Sequence, residues 1–333
     1  MSQDERFMRR AIQLARCGET AVHPNPMVGA VIVKDGRIIG EGYHMKYGGP
    51  HAEVNAVRSV PSGACMKGCT MYVTLEPCSH WGKTPPCCDL IIQQGVGRVV
   101  VGMQDPNEKV NGEGIRRMRE AGIEVAVGIL EEECRALNPC FLTIHTKHRP
   151  WVTLKWAQSR DGVMGLDLPN AEPLHISSPF TQMLVHRLRS RCQAIMVGTN
   201  TALHDNPHLT LRLWQGKSPL RVTIDRHGRL SKEMFLFSDG EPTLVYHNEI
   251  LPDILYDLHK RGVQHLLVEG GSKLLQSFIN SNLWDEARIE TSPMRQGDVQ
   301  GKVTAPTISH AELSEEACVD GRKLLILLNT RHF

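Results

Sequence analysis

His51-Ala52-Glu53-Val54 and, a strand later, Pro77-Cys78-Ser79-His80-Trp81-Gly82-Lys83-Thr84-Pro85-Pro86-Cys87 decide how the first half of this chain is read. One imidazole and two thiols are three zinc ligands: His51, Cys78 and Cys87. A catalytic zinc typically has three protein ligands and keeps its fourth position for water, whereas a structural zinc is closed by four. A closed site completed by Cys88 or a further histidine is the alternative that the spacing leaves open. Glu53, two residues past the histidine, is the carboxylate that an open site needs to move a proton between water and substrate.

Local patterns place these residues. His51 to about Ser59 reads as a helix with His51 and Glu53 in its first turn, Thr70 to Leu75 as a strand broken by Glu76-Pro77, and Cys87 to Gln94 as another helix. The ligands then lie at helix N-termini, where the dipole favours thiolate. Upstream, Ser2 and Glu5 form a capping box for a helix to about Cys17, and Asp35-Gly36 joins strands Met27–Lys34 and Arg37–Tyr43 in a hairpin. Downstream, strand Arg98–Met103, helix Gly112–Ala121, strand Ile123–Val127 and helix Glu131–Leu137 alternate, which predicts an α/β unit with a largely parallel sheet. Between His145 and Pro150 the chain turns basic and irregular, so the expected domains are 1–146 and 150–333.

The second half opens with strand Trp151–Ala157 and the turn Arg160-Asp161-Gly162, where Asp161 reads as a plain Asx turn. Ser178-Pro179 begins a helix to about Arg191, and Ala194–Val197, Arg221–Asp225 and Thr243–Tyr246 are strands. Strand His265–Val268 ends in Glu269-Gly270-Gly271-Ser272, with Ser272 a cap for the helix Lys273–Ile279. Glycines at such a junction let backbone amides approach a phosphate, although a tight turn alone would look the same.

At 333 residues, with 41% hydrophobic and 22% charged residues, two soluble domains are expected. A net charge of +2 without a run of basic residues, and only 5% aromatics, argue against a nucleic-acid deaminase. The N-terminus lacks an apolar signal core and no stretch is long enough to span a membrane, so a cytoplasmic protein is expected. The ten cysteines are then expected to be reduced or metal-bound, with Cys65 and Cys69 as ordinary thiols.

The H-x-E and P-C pattern is the signature of zinc-dependent base deaminases. Beyond it, the chain resembles the bifunctional riboflavin-biosynthesis deaminase/reductase family over essentially its whole length. The pieces that carry the resemblance are Asn25-Pro26-Met27-Val28-Gly29, Gly40-Glu41-Gly42-Tyr43-His44, His51-Ala52-Glu53, Thr74-Leu75-Glu76-Pro77-Cys78, the eight residues between the two cysteines, and Gln104-Asp105-Pro106-Asn107. In the second half they are Val197-Gly198-Thr199-Asn200-Thr201, Asp205-Asn206-Pro207 and Val268-Glu269-Gly270-Gly271-Ser272. The resemblance implies an N-terminal cytidine-deaminase-like α/β/α sandwich that binds zinc and a C-terminal dihydrofolate-reductase-like α/β domain that uses NADPH.

It also implies the roles. Glu53 would shuttle the proton, and Asn25, His44, Lys83, Asp105 and Asn107 would line the deaminase substrate site. Lys155, Asp205 and Glu269 would lie at the reacting ribose, with Arg189, Leu209 and Arg212 binding substrate, the two arginines at its phosphate. Thr201, Asp205, Gly270, Gly271 and Ser272 would contact the cofactor. The substrate would be a diaminopyrimidinone bearing a phosphoribosylamino group, neither nucleic acid nor membrane being a partner, and a homo-oligomer is expected.

The chain departs from the family at Pro173-Leu174-His175, where many members have Ser-x-Trp, and at Asp225-Arg226, where Asp-Ser is usual. His175 would replace the tryptophan against the cofactor, and Arg226 is suited to the 2′-phosphate of NADPH. These departures leave open a reductase half that is inactive or altered in specificity.

Overall fold

The computed structural model describes residues 1–81, 85–108, 110–168 and 174–331. They divide into two compact units, Met1–Lys147 and His148–Phe333. Lys83 and Pro173 lie outside the described residues.

In the first unit, helix α1 (Gln3–Arg16) is opened by the Ser2/Glu5 capping box, both reciprocal bonds being made. Strands β1 (Gly29–Lys34) and β2 (Arg37–Tyr43) form the hairpin, with Asp35 and Gly36 both at positive φ as a two-residue turn requires. Then follow α2 (Ala52–Ser59), β3 (Thr70–Val73), α3 (Cys87–Gln93), β4 (Arg98–Val101), α4 (Glu113–Glu120), β5 (Glu124–Val127), α5 (Glu131–Arg135) and α6 (Pro139–Thr146). The sheet order is β2-β1-β3-β4-β5, antiparallel at the hairpin side and parallel from β3 to β5.

The two-residue period of the strands sorts the core into two layers. Val31, Val33, Tyr72 and Val100 face α1, α5 and α6, while Ala30, Ile32, Met71, Val73, Val99 and Val101 face α2, α3 and α4. This is the expected α/β/α sandwich, and both ligand-bearing helices pack on one face. His51 is the N-cap of its helix and lies outside the first turn. Of the stretch His145–Pro150 only His145 and Thr146 are helical, as the end of α6, and residues 147–150 are irregular as expected; Pro139 at the first helical position starts α6, which buries Phe141, Leu142 and Ile144.

The second unit contains β6 (Trp151–Gln158), β7 (Val163–Leu166), α7 (Pro179–Arg189), β8 (Ala194–Val197), α8 (Thr199–Asp205), β9 (Leu220–Ile224), α9 (Phe235–Ser238), β10 (Thr243–Tyr246), α10 (Leu251–Lys260), β11 (His265–Val268), α11 (Ser272–Asn280), β12 (Glu286–Thr291), β13 (Lys302–Thr304), β14 (Ala311–Val319) and β15 (Arg322–Asn329). The main sheet runs β10-β9-β8-β11-β6-β12-β15-β14, parallel through β12 and antiparallel at β15 and β14. α10 and α11 cover one face through Val152, Leu154, Met196, Val222 and Leu266, and α7, α8 and α9 cover the other through Ile195, Val197 and Leu267.

Three local features differ from, or go beyond, what the sequence suggests. The segment after β8 is helical from Thr199, because Thr199 Oγ1 bonds the Ile224 carbonyl and turns the chain at once into α8. Ser272 does not cap α11: Gly271 holds the N-cap position, no side-chain cap bond forms, and Ser272 is the first helical residue. Asp161 is more than an Asx turn. Its carboxylate accepts from Ser159 Oγ and from the Gln296 and Gly297 amides, and these bonds, the serine hydroxyl foremost, hold its pKa down at about 2.

Candidate active sites

His51 enters the first site as the residue that precedes α2, Cys87 as the first residue of α3, and Cys78 from the loop after β3. His51 Nδ1 stands 3.6 Å from Cys78 Sγ and 3.4 Å from Cys87 Sγ. A tetrahedral zinc with N at ~2.0–2.1 Å and S at ~2.3 Å separates such a pair of ligand atoms by about 3.6 Å, so the donor set fits zinc as placed. Among the described residues this is the one group of three His, Cys or acidic ligands close enough to hold a metal. Cys88 does not complete a fourth ligand: it is buried in the core beside Ile91, with its sulfur 3.6 Å from the Asp89 carboxylate. The closed structural alternative therefore lacks its fourth residue in the described chain, and Cys65 and Cys69 form no metal group there.

The electrostatics prepare the donors. The Cys87 amide, at the N-terminus of α3, points at Cys78 Sγ from 3.3 Å. Hydrogen bonding from Cys87 and then from His51 holds the Cys78 thiol well below its ordinary pKa despite burial. Glu53 is 3% exposed on the first turn of α2, and burial pushes its carboxyl up to about 7, with Cys78 adding to the rise and His51 opposing it. A proton-transfer group is most effective when its pKa lies near the working pH.

Beside these, Asn25 Nδ2 lies 3.0 Å from His44 Nε2, and His44 Nδ1 lies 3.0 Å from the Pro50 carbonyl. A carbonyl can only accept, so Nδ1 carries the proton and Nε2 accepts from Asn25. Burial lowers the His44 pKa, which keeps that tautomer neutral. The His44 ring meets His51 edge-on, with centroids 5.5 Å apart. Asp105 is buried and pushed up to about 6, mainly by desolvation, while its Oδ1 accepts the Asn107 amide at 2.8 Å.

In the second unit the sheet order creates a crevice. From β8 the chain passes through α8 to β9 on one side, and from β11 it passes through α11 to β12 on the other. Ligands of open α/β sheets bind where connections part in this way, at the carboxyl ends of the strands. Thr201 of α8 and the Gly270-Gly271 turn of α11 meet there. Both glycines have positive φ, +152° and +64°, and a Cβ on either would stand 3.1 Å from the Thr201 side chain. This is a bare cradle of backbone and one hydroxyl, suited to a dinucleotide phosphate.

Glu269 follows β11 and is gripped by Arg189 of α7 through two bonds, Nε to Oε1 at 2.9 Å and Nη2 to Oε2 at 2.7 Å. Both side chains are nearly buried, at 12% and 9% exposure. Arg189 Nη1 also donates to the Thr210 carbonyl, next to the buried Leu209. Arg189 thus meets this site as the partner of Glu269. Lys155 lies on β6, and its charge is one of those that lower the Glu269 pKa against desolvation. Asp205 ends α8 with its carboxyl raised by desolvation. Arg212, His175 and Arg226 are exposed, the last just past β9.

Sequence reasoning missed the residues that hold these segments. His186 Nδ1 accepts the Arg212 and Leu213 amides, Asn55 Nδ2 donates to the Tyr43 and Pro50 carbonyls, and Glu76 accepts four backbone amides. Apart from Pro50, which precedes Asn55 by five residues, each partner is backbone distant in sequence, so no local motif marks them.

These features define a class of enzyme: a zinc-dependent deaminase half joined in one chain to a dinucleotide-dependent reductase half. Residues 1–103 match the cytidine and deoxycytidylate deaminase zinc-binding region, and residues 150–318 match the RibD C-terminal domain. The riboflavin biosynthesis protein RibD of Aquifex aeolicus is 40% identical over 318 residues, which cover 89% of this chain and 88% of that protein. Among solved structures, the diaminohydroxyphosphoribosylaminopyrimidine deaminase/5-amino-6-(5-phosphoribosylamino)uracil reductase of Thermotoga maritima is 38% identical with a TM-score of 0.84, covering 98% of this chain and 99% of its own. RibD of Acinetobacter baumannii gives 32% and 0.86, covering 98% of each. The chain belongs to the RibD family of bifunctional riboflavin-biosynthesis deaminase/reductases. Its cofactors are zinc and NADPH.

Proposed function

We propose that this chain deaminates a diaminopyrimidinone carrying a phosphoribosylamino group and then reduces the ribosyl group of the product to a ribityl chain. Residues 1–146 would carry the first reaction and 150–333 the second. The observation that carries the reading is the three-ligand group with a buried carboxylate beside it, in a chain whose other unit has a glycine cradle at its topological switch point. Zinc bound by His51, Cys78 and Cys87 would supply activated water at neutral pH. Glu53 would take one proton from the attacking water and pass it to the ring nitrogen, then take the second from the hydroxyl now on the ring carbon and pass it to the amine, which leaves as ammonia as the carbonyl forms. Asn25 and the neutral His44 bind the ring, with Asp105, Asn107 and Lys83 around the remainder of the substrate.

NADPH held by Thr201, Asp205, Gly270, Gly271 and Ser272, with His175 beside it, would supply a hydride. Lys155 and the Arg189–Glu269 pair orient the ribose carbon that receives it. Leu209 and Arg212 bind the substrate at its phosphate end, Arg212 being an exposed cation on a backbone pinned by His186. Arg226 would meet the 2′-phosphate of NADPH, since its guanidinium is exposed in the turn that follows β9.

The substrate is a small molecule and not a nucleic acid, and the setting is the cytoplasm. Among the described residues no helix is long and apolar enough to cross a membrane. A homo-oligomer is supported by β15: Leu324, Leu325, Ile326, Leu327 and Leu328 put apolar side chains on both faces, yet all five stay half-exposed. Strands of that pattern are normally covered on both sides.

The test is incubation of the zinc-loaded protein with the phosphoribosylaminopyrimidine, following ammonia release and then NADPH oxidation, with sedimentation to read the oligomer. Ammonia without NADPH oxidation would remove the reductase half of the reading. Deamination of single-stranded DNA or RNA, and not of the pyrimidine, would overturn the first half.

A further inference from the structure

Glu76 lies two residues before Cys78, and its side chain bonds the backbone of the segment that follows β4. It is 4% exposed, and its carboxylate accepts four backbone amides: Asp105 at 3.2 Å and Gly112 at 2.9 Å on Oε2, Gly114 at 3.0 Å and Ile115 at 3.2 Å on Oε1. All of them belong to the segment that leads from Asp105 into the first turn of α4. The first turn of α4 also presses on the residue between Glu76 and Cys78. A Cβ on Gly114 would stand 2.2 Å from the Pro77 carbonyl oxygen, so only glycine fits. On the far side of Cys78, Arg117 of α4 donates from Nη1 to the Ser79 carbonyl at 2.8 Å and from Nη2 to Asp89 of α3. Cys78 is thus bracketed by two grips of the same helix, and the first grip also carries Asp105.

We propose that Glu76 is a positioning residue for the deamination reaction, setting the Asp105–Asn107 segment at a fixed place relative to the metal-ligating loop. The proposal rests on the reading of Asp105 and Asn107 as substrate-binding. A buried carboxylate surrounded by four donors must accept from them or stand unsatisfied, which is why it holds the segment so firmly. The geometry also specifies the residue type. An amide in its place would turn two hydrogens toward amide hydrogens and could keep at most two of the four bonds.

The test uses the full, zinc-loaded chain and three variants: Glu76→Gln, Asp105→Asn and the double variant. Measured for each are zinc content, KM and kcat for ammonia release from the phosphoribosylaminopyrimidine, and NADPH oxidation on the separately supplied deaminated intermediate. E76Q is expected to keep its zinc, to raise KM about tenfold or more and to change kcat by less than about threefold, because lost positioning of a binding group removes uniform binding. D105N is expected to raise KM as well, and the double variant to be no worse than D105N, since Glu76 would act through Asp105. NADPH oxidation stays at the wild-type rate in all three.

An E76Q with wild-type KM beside an impaired D105N would overturn the proposal and leave the reading of Asp105 standing. A wild-type KM in D105N would overturn that reading and the proposal with it. Loss of zinc from E76Q, or single effects on KM that multiply in the double variant, would make Glu76 a plain support of the metal loop and overturn its positioning role.

Discussion

Replacing Arg189 with Met keeps most of the aliphatic stem but removes the guanidinium that holds Glu269. The structure sets the size of the effect. Three bonds are lost, two of them charge-assisted at 2.7 and 2.9 Å, and the carboxylate left behind is 9% exposed. Breaking a buried ion pair from one side costs about 3–5 kcal/mol, because the remaining charge cannot reach water. The pH dependence has a definite sign. Burial raises the Glu269 pKa, but the charge and hydrogen bonds of Arg189 outweigh it, so the carboxyl sits below its ordinary 4.5 in the fold. A group depressed in this way stabilises the fold above its unfolded pKa and loses that contribution as pH falls through the folded value. In Arg189→Met the burial persists without its main counter-charge, so Glu269 takes up a proton at higher pH than in wild type. The full stability gap is therefore expected at pH 7, and it narrows on acidification toward pH 4. Trp151, Trp156, Trp214 and Trp284 all lie in the second unit, against Trp81 in the first, so tryptophan fluorescence during denaturant unfolding reports mainly on the unit concerned. Glu269→Gln in the Arg189→Met background should recover part of the loss, since no buried charge then remains. NADPH oxidation should fall with Arg189→Met while ammonia release does not change. A variant within about 1 kcal/mol of wild type at pH 7, or a gap that does not close in acid, would refute the reasoning.

Glu53→Gln is expected to keep its zinc and lose about 10²–10⁴ in ammonia release, the usual contribution of a positioned acid/base. Loss of metal from that variant, read by metal analysis, would instead make Glu53 a ligand. Gly42→Ala places a Cβ 2.2 Å from the Ala56 amide nitrogen and 2.6 Å from the Ala52 carbonyl oxygen, so α2 must move away from β2. Overpacking of this kind costs about 1–3 kcal/mol, and because α2 carries Glu53 behind His51, deamination should fall along with the thermal midpoint. Arg226→Ser should weaken NADPH by about 1–3 kcal/mol while leaving NADH and deamination unchanged, as KM for both cofactors would show. An unchanged NADPH/NADH preference would dismiss the role of Arg226.

The first unit was the more legible because its signals are local. A capping box and an Asp-Gly turn each act over fewer than ten residues and both appear in the structure, as does the group of His51, Cys78 and Cys87, although Cys78 comes from a loop and not from the helix N-terminus expected for it. The strands after Ile279 left no comparable mark. β14 is exposed from Glu312 to Cys318, and β15 is apolar on both faces, so neither shows the alternation of a half-buried strand. Their pairing is fixed by neighbours far away in sequence: β15 lies against β12, and β12 against β6. α8 and α10 were lost for a related reason. α8 is only seven residues long and owes its start to a bond from Thr199 to the end of another strand, and α10 carries Pro252 in its first turn, where proline is tolerated but reads as a break.

The candidate sites divide along the same line. A metal ligand is recognisable by its own chemistry, so residue type and spacing were enough to single out His51, Cys78 and Cys87 as a donor set, and the structure brings the three together. An arginine or glutamate is not, because its meaning depends on what it faces. Arg189 and Arg212 look alike in the sequence, yet one is spent on Glu269 within the fold and the other stands exposed with its backbone held by His186. Among the described residues no ion pair holds Arg212, the cation proposed for the phosphate, whereas the paired Arg189 supplies rigidity to a carboxylate beside the cradle. Glu76 and Glu53 present the same contrast in the first unit. Both are almost fully buried acids on the metal-bearing side of the sequence, but Glu76 has four amides around it, while burial and the neighbouring Cys78 raise the proton affinity of Glu53. A carboxylate whose lone pairs are taken by backbone holds structure in place; one whose proton affinity has been raised toward neutrality is ready to exchange a proton, which supports the shuttle role proposed for Glu53.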